Sequence, residues 1–328
     1  MHDPARRAAR RPRWSILSGV RPNDPAPMAE TLDRLTRLDR PRGGEARRLT
    51  IGPLVVAIEG LDRTLAQRLD ARWGEFAAAE GRGASCTVRV FVSDDRWLSE
   101  RPGEPYRMEA EGDGGLVVSE RFAVAREPEP GRWRAGVTER PEEPVERIVE
   151  NVVRLLLGRL AVEAGGFALH AAGVARSGRA YLLAGPSNAG KSTAVSLAAP
   201  AESLGDDYGI VLPGTGEWVA AAVPFDNSER APSRPPGSGG VLPLAGVWRL
   251  YKAQTTRAER PPTGVAVATL LGCAVAPWTM PDLSGPMLRQ ASAFIDSGGY
   301  AHLHFARDAD LWTVLLHSAR LDNPSTSG

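Results

Sequence analysis

From residue 185 the chain reads Gly-Pro-Ser-Asn-Ala-Gly-Lys-Ser, a glycine and four residues followed by Gly-Lys-Ser. These types suit a polyphosphate. Gly185 and Gly190 let backbone N–H groups curl around an anion, and a helix leaving the loop adds its positive end. Lys191 is placed to meet the β- and γ-phosphates, and Ser192 to hold Mg²⁺. The nucleotide-binding set predicted here is Gly185, Ser187, Asn188, Ala189, Gly190, Lys191, Ser192 and Thr193, with ATP and Mg²⁺ as the implied cofactors. The flanks agree: "RAYLLA" reads as a strand entering the loop and "KSTAVSLAA" as a helix leaving it.

Two adjacent carboxylates, Asp206 and Asp207, follow closely. A helix over 191–199 advances roughly 13 Å at about 1.5 Å per residue. A strand over 202–205 returns a similar distance at about 3.3 Å per residue. The pair should therefore come back level with the phosphate-type loop. One carboxylate can hold Mg²⁺, directly or through water, leaving the other free as a general base toward an attacking hydroxyl. A solvated turn or helix cap is the structural alternative.

His170 is the third candidate. "FALHAAGVA" and "RAYLLA" are joined by a connection short enough for a hairpin. A two-residue turn at Ser177–Gly178 sets Val174 opposite Tyr181 and His170 opposite Gly185, whereas a three-residue turn moves the partner to Ala184. Either register brings the imidazole beside the loop, where it could tune Asp206 or relay its proton. A packed core histidine is the alternative.

The string "ENVVRLLLGRLAVEAGGFALHAAGV…LLAGPSNAGKST…LGDDYGIVL" resembles the catalytic core of the HPr kinase/phosphorylase superfamily, and above all the HPr-kinase-related proteins. Its GDD piece is similar to ATP-dependent phosphoenolpyruvate carboxykinase, which shares that fold. The likeness covers about residues 145–320. It implies an α/β P-loop domain that phosphorylates a serine, or a similar hydroxyl, on a protein or peptide at the expense of ATP, with Asp206, His170 and Lys191 as the catalytic set, Asp206 the base and His170 beside it, and with Ser192 and Asp207 left to hold Mg²⁺. It is compatible with a homo-oligomer. There are departures: Asn188 stands where the usual loop has glycine, Thr193 where HPr kinases carry glutamate, and the later Arg-Gly-x-Gly signature has only "PLAGVWRLYK" as counterpart. Phosphorylase activity and HPr as acceptor are therefore outside what the likeness implies. The donor, ATP or pyrophosphate, stays open. Two other classes stay open as well. One is a non-catalytic nucleotide-binding accessory module that recognises a precursor peptide or carrier. The other is an ATPase engine, which lacks a distant acidic strand and a nameable arginine finger.

Around these residues the chain divides into three. Residues 1–48 carry 12 arginines against 6 acidic residues and read as a disordered basic tail, a nucleic-acid arm, or an extension ahead of a start at Met28. Residues 49–144 read as a small α+β module: "LTIGPLVVAIEG" as a strand, residues 61–80 as an amphipathic helix, "CTVRVFVS" as a strand, and a hairpin turning at Gly112–Gly115. Residues 145–328 form the P-loop domain. It opens with a helix whose stripe is Val145, Ile148, Val149, Val152, Leu156 and Leu160, stopped at Gly165–Gly166. Residues 226–240, rich in Pro, Gly and Ser, read as a mobile loop whose Arg230 and Arg234 could close over phosphate. "VLPLAGVWRLYKA" reads as a strand, and residues 300–319 as a strand followed by a closing helix.

Composition sets the limits. Of 40 Lys+Arg only Lys191 and Lys252 are lysines, so a lysine kept in the loop is informative. A net charge of +1 gives no global field for nucleic acid or an anionic membrane. Cys86 and Cys273 lie in apolar runs, as buried thiols of a reducing compartment do. His302 and His304 alternate on one strand without a third ligand nearby, so no metal is expected there. No apolar run reaches the ~18 residues of a spanning helix. The expected location is cytoplasmic, with a protein or peptide acceptor as partner.

Overall fold

The computed structural model describes residues 25–78, 83–93, 97, 108–111, 115–141, 143–198, 201–225, 240–275, 280–306 and 311–320. Arg230, Arg234 and the rest of the expected loop up to residue 239 lie outside the described residues, as do residues 1–24. Helix α1 (Pro25–Thr36) corrects the expectation of a disordered tail for the second part of 1–48. Met28 and Leu35, two turns apart, are buried against Trp97, Leu116, Val118, Ala123 and Ala125. The arginine count had hidden a short amphipathic helix.

Strands β1 (Glu45–Ile51) and β2 (Leu54–Leu61) form a hairpin where one strand was expected. Gly52, at φ 55°, and Pro53 make the turn that an unbroken apolar run concealed. Helix α2 (Arg63–Trp73) is capped by Asp62, whose carboxylate accepts from the Leu65 N–H at 2.8 Å. It ends at Gly74, short of the expected residue 80, and the chain re-extends into β3 (Ala77–Ala78). Strand β4 (Cys86–Ser93) matches the alternation in its sequence. Then come β5 (Met108–Glu111), β6 (Leu116–Ser119), β7 (Phe122–Arg126) and β8 (Arg132–Thr138). Together they form an eight-stranded sheet in the order β3-β1-β2-β4-β8-β7-β6-β5.

Helix α3 (Val145–Glu163) follows, its apolar side chains spread wider than one stripe. Besides the expected stripe it buries Val153, Leu155, Leu157, Ala161 and Val162, because it packs on this sheet and on the next. Each such side chain contributes about 1.5–3 kcal/mol on burial. Its one fully buried charge, Glu150, meets Arg72 of α2 in a two-pronged pair, Nε to Oε1 and Nη2 to Oε2, both at 2.7 Å.

The second sheet is built from β9 (Phe167–Leu169), β10 (Ala171–Arg176), β11 (Arg179–Ala184), β12 (Glu202–Gly205), β13 (Gly209–Pro213), β14 (Trp218–Ala221) and β15 (Val241–Lys252). Their order is β12-β10-β11-β15-β14-β13-β9, with β17 (Tyr300–Phe305) beside β15 and β16 (Arg257–Glu259) beside β17. Helices α4 (Lys191–Leu197) and α7 (Leu311–Arg320) share one apolar cluster with Val174, Tyr181, Leu183, Trp248 and Leu250. Helices α3, α5 (Thr263–Leu271) and α6 (Ser284–Asp296) share another with Leu182, Ala184 and Val247, side chains of the opposite parity. The two helix groups therefore cover opposite faces of the sheet. The architecture is mixed α/β, and among the described residues no helix is long and apolar enough to cross a membrane.

Candidate functional site

Strand β11 delivers the chain into the glycine-rich loop, and α4 carries it away. Asn188, at φ 67°, and Gly190, at φ 104°, both sit in left-handed conformations that bend the loop back on itself. Lys191 is buried. Its ammonium donates to the carbonyls of Gly185 (3.1 Å) and Pro186 (3.3 Å), and lies 3.2 Å from His170 Nε2 and 3.4 Å from Asp207 Oδ1. Ser192 and Asn188 are exposed, Ser187 and Thr193 partly so, and Ala189 is buried.

The hairpin ahead of the loop has the two-residue turn. Ser177 (φ 52°) and Gly178 (φ 74°) close it, Val174 lies opposite Tyr181, and Ala171 opposite Ala184. The Gly185 N–H donates to the His170 carbonyl at 3.1 Å. This excludes the three-residue register.

Why His170 and the aspartates meet follows from topology. Strand β9 pairs with β13, and β10 pairs with β12, on opposite sides of the long β15. The two chain segments thus cross from one half of the sheet to the other side by side. His170 is the residue between β9 and β10, and Asp206–Asp207–Tyr208 lie between β12 and β13. At this crossing side chains are released from the ladder and face each other. Asp207 takes a left-handed φ of 63°, and its Oδ1 lies 3.2 Å from His170 Nε2. Gly205, at φ 131°, is required just before it, since a Cβ there would stand 2.4 Å from Val223 Cγ2.

The carboxylates divide differently from the expectation that His170 would tune Asp206. His170 and Lys191 both engage Asp207. Asp206 Oδ1 accepts from the Asp207 N–H at 3.0 Å, while the Asp206 N–H donates to the Phe225 carbonyl at 2.9 Å. Asp206 therefore also shapes the turn. Burial would raise the Asp207 carboxyl, but the His170 hydrogen bond and the Lys191 charge prevail and hold it well below the usual carboxylate range. It stays ionised. His170 Nε2 can donate to Asp207 or accept from Lys191, according to tautomer.

Behind His170, its N–H donates to the Cys273 carbonyl at 2.7 Å. Burial raises the Cys273 thiol, with Arg249 opposing, and burial pushes Cys86 up to about 12, so both free cysteines are inert buried thiols. Arg249 is spent on the Tyr251 hydroxyl (2.8 Å), the Thr269 carbonyl (3.0 Å) and Cys273 Sγ (2.9 Å). Lys252 is exposed at the end of β15. His302 bonds Thr269 Oγ1 and His304 bonds Glu259. Among the described residues no group of three His, Cys, Asp or Glu side chains could hold a metal ion.

Sequence reasoning missed Arg154. It projects from α3 with its guanidinium carbon 4.7 Å from the centre of the Phe225 ring, and its own carbonyl accepts from the Tyr208 hydroxyl at 2.6 Å. Its signal was readable: Glu150 and Arg154, one turn apart, interrupt an otherwise apolar helix face. No protein-family model matches the chain, and no curated protein matches it.

Proposed function

We propose that the chain is an ATP/Mg²⁺-dependent kinase of a serine or similar hydroxyl on a protein or peptide, with residues 145–328 forming a P-loop domain of the HPr-kinase and phosphoenolpyruvate-carboxykinase type. The supporting observation is the convergence of Lys191, His170 and Asp207 within 3.4 Å at the phosphate-type loop. Phosphoryl transfer asks mainly for positioning and charge neutralisation, and such a cluster suits both.

In this reading the triphosphate draws Lys191 off the Gly185 and Pro186 carbonyls onto its β- and γ-oxygens. Asp207, ionised, and the exposed Ser192 hydroxyl fit a magnesium ion, which takes few protein ligands and keeps water and substrate phosphate for the rest. Bound there, Mg²⁺ would neutralise phosphate charge. His170 orients Asp207 through their shared hydrogen bond. Asp206 accepts the proton of the acceptor hydroxyl as the new O–P bond forms, the β–γ bridging bond breaks, and ADP leaves. Asp207 is a poor candidate for that base, because a carboxyl held so low gives up its proton too readily.

The test is Asp206→Asn. The asparagine oxygen can still accept from the Asp207 N–H, so the turn survives while the base is lost. Transfer, read as an added phosphate mass on the acceptor, should vanish with ATP binding near normal, and unchanged turnover removes Asp206 from the mechanism. A second reading, a nucleotide-binding accessory module without transfer activity, is favoured by Asp206 serving the turn. It predicts ATP binding with no consumption in the wild type.

A further inference from the structure

Among the described residues Arg154 is the one guanidinium at this site with an enclosed nitrogen, its Nε, left without a hydrogen-bond partner. Enclosing such a donor costs about 1–3 kcal/mol unless something accepts from it. Arg121 also has an enclosed nitrogen without a partner, but that residue has the Glu143 carboxylate at 3.8 Å and lies on the other sheet. Arg249, on the strand beside the loop, has its bonds made. The cavity of about 330 Å³ beneath Gly246, Gly298 and Gly299 opens at the start of β15, the opposite end from the loop, with no comparable orphan in its lining.

Position makes Arg154 informative. It comes from α3, on one face of the second sheet, whereas Lys191 comes from α4 on the other. Its ring partner Phe225 holds the Asp206 N–H, and its carbonyl partner Tyr208 follows Asp207 directly. Its charge interacts with both Glu150 and Asp207. Glu150 gives both oxygens to Arg72 and makes no hydrogen bond to Arg154 Nε. At the crossing the two cations Lys191 and Arg154 stand against the two carboxylates of Asp206 and Asp207.

We propose that Arg154 is a second anion-binding residue of this site, donating to the phosphate group on the acceptor side of Asp207 while Lys191 holds it from the nucleotide side. The assignment rests on the kinase reading above. It specifies a phosphate or phosphate ester as the species bound once the nucleoside diphosphate has formed.

The experiment is titration of inorganic phosphate into the full-length protein saturated with ADP and Mg²⁺, for the wild type and Arg154→Met, a change that keeps an apolar stem over Phe225. Phosphate affinity should fall about 10- to 100-fold, as for one charge-assisted bond. ADP affinity should stay within about twofold. Arg154→Gln repeats the measurement should the methionine variant not fold, and Arg154→Lys should recover part of the loss. Phosphate affinity equal to wild type in either neutral variant, with ADP bound normally, overturns the role of Arg154 and leaves the kinase reading standing. A wild type that binds neither ADP nor phosphate overturns both.

Discussion

Most charges of the first sheet are handled differently from those at the strand crossing of the second. On the first, arginines and carboxylates close on one another: Arg132 meets Glu59, Glu127 and Glu129, Arg47 meets Asp70, and Arg72 grips the buried Glu150 with both prongs. On the second, at the strand crossing, one carboxylate oxygen serves a lysine and a histidine together, and an arginine beside them keeps an enclosed donor without an acceptor. Saturated charge is what a scaffold needs. Unsaturated charge costs stability, and a folded chain retains it where a ligand supplies the missing partner.

The sharpest way to break this contrast is Glu150→Ala. It leaves Arg72 half-buried without its carboxylate, so stability should drop by about 3–5 kcal/mol in a denaturant melt, with nucleotide affinity nearly unchanged. Lys191→Ala should invert that pattern, weakening ATP binding about 100-fold by calorimetry, with a far smaller change in the melt. If both variants lose stability and neither loses affinity, the contrast is void. Gly205→Ala is the next step down. The side chain meets Val223 in a backbone conformation disfavoured for L residues, so about 1–3 kcal/mol should be lost, together with the Asp207 geometry and some nucleotide affinity. The smallest effect belongs to the scaffold side. Burial raises the Glu143 carboxyl, against the pull of Arg121 and Arg147. A raised carboxyl favours the fold below its unfolded pKa and loses that contribution as pH climbs through the folded value. Glu143→Gln should therefore gain on the wild type in thermal melts between pH 4 and pH 7, and a parallel pair of profiles would refute it.

Much of the second sheet was legible because its elements are short and bounded. Strands β11 and β12 fall on the predicted residues, and the single dipeptide Ser177–Gly178 set the register that brings His170 to Gly185. The hairpin β1–β2 was read as one strand, because both of its arms are apolar and only Gly52-Pro53 divides them. Helices α5 and α6 went unread; the hydropathy of α5 is nearly uniform, so periodicity had little to show. At the site, the meeting of loop and aspartates followed from lengths alone. Which aspartate turned toward His170 did not, since that depends on the φ of Asp207 and on strands exchanging neighbours, neither of which is written in residue spacing. The presence of Arg154 on the helix face is readable, but its relation to Asp207, more than fifty residues away, is not.

The lysine lodged on its own loop has one further consequence. An ammonium has three hydrogens, and two carbonyls and the Asp207 carboxylate already face those of Lys191, with His170 Nε2 alongside. Lys191 thus closes on its own loop like a latch. On the kinase reading, a visiting anion must outbid two carbonyls and a carboxylate before the latch lifts, which a chain of several phosphates can do and a lone one, arriving first, does poorly. Selection for long polyphosphates would then come from the resting state of the loop, before any base or sugar is recognised.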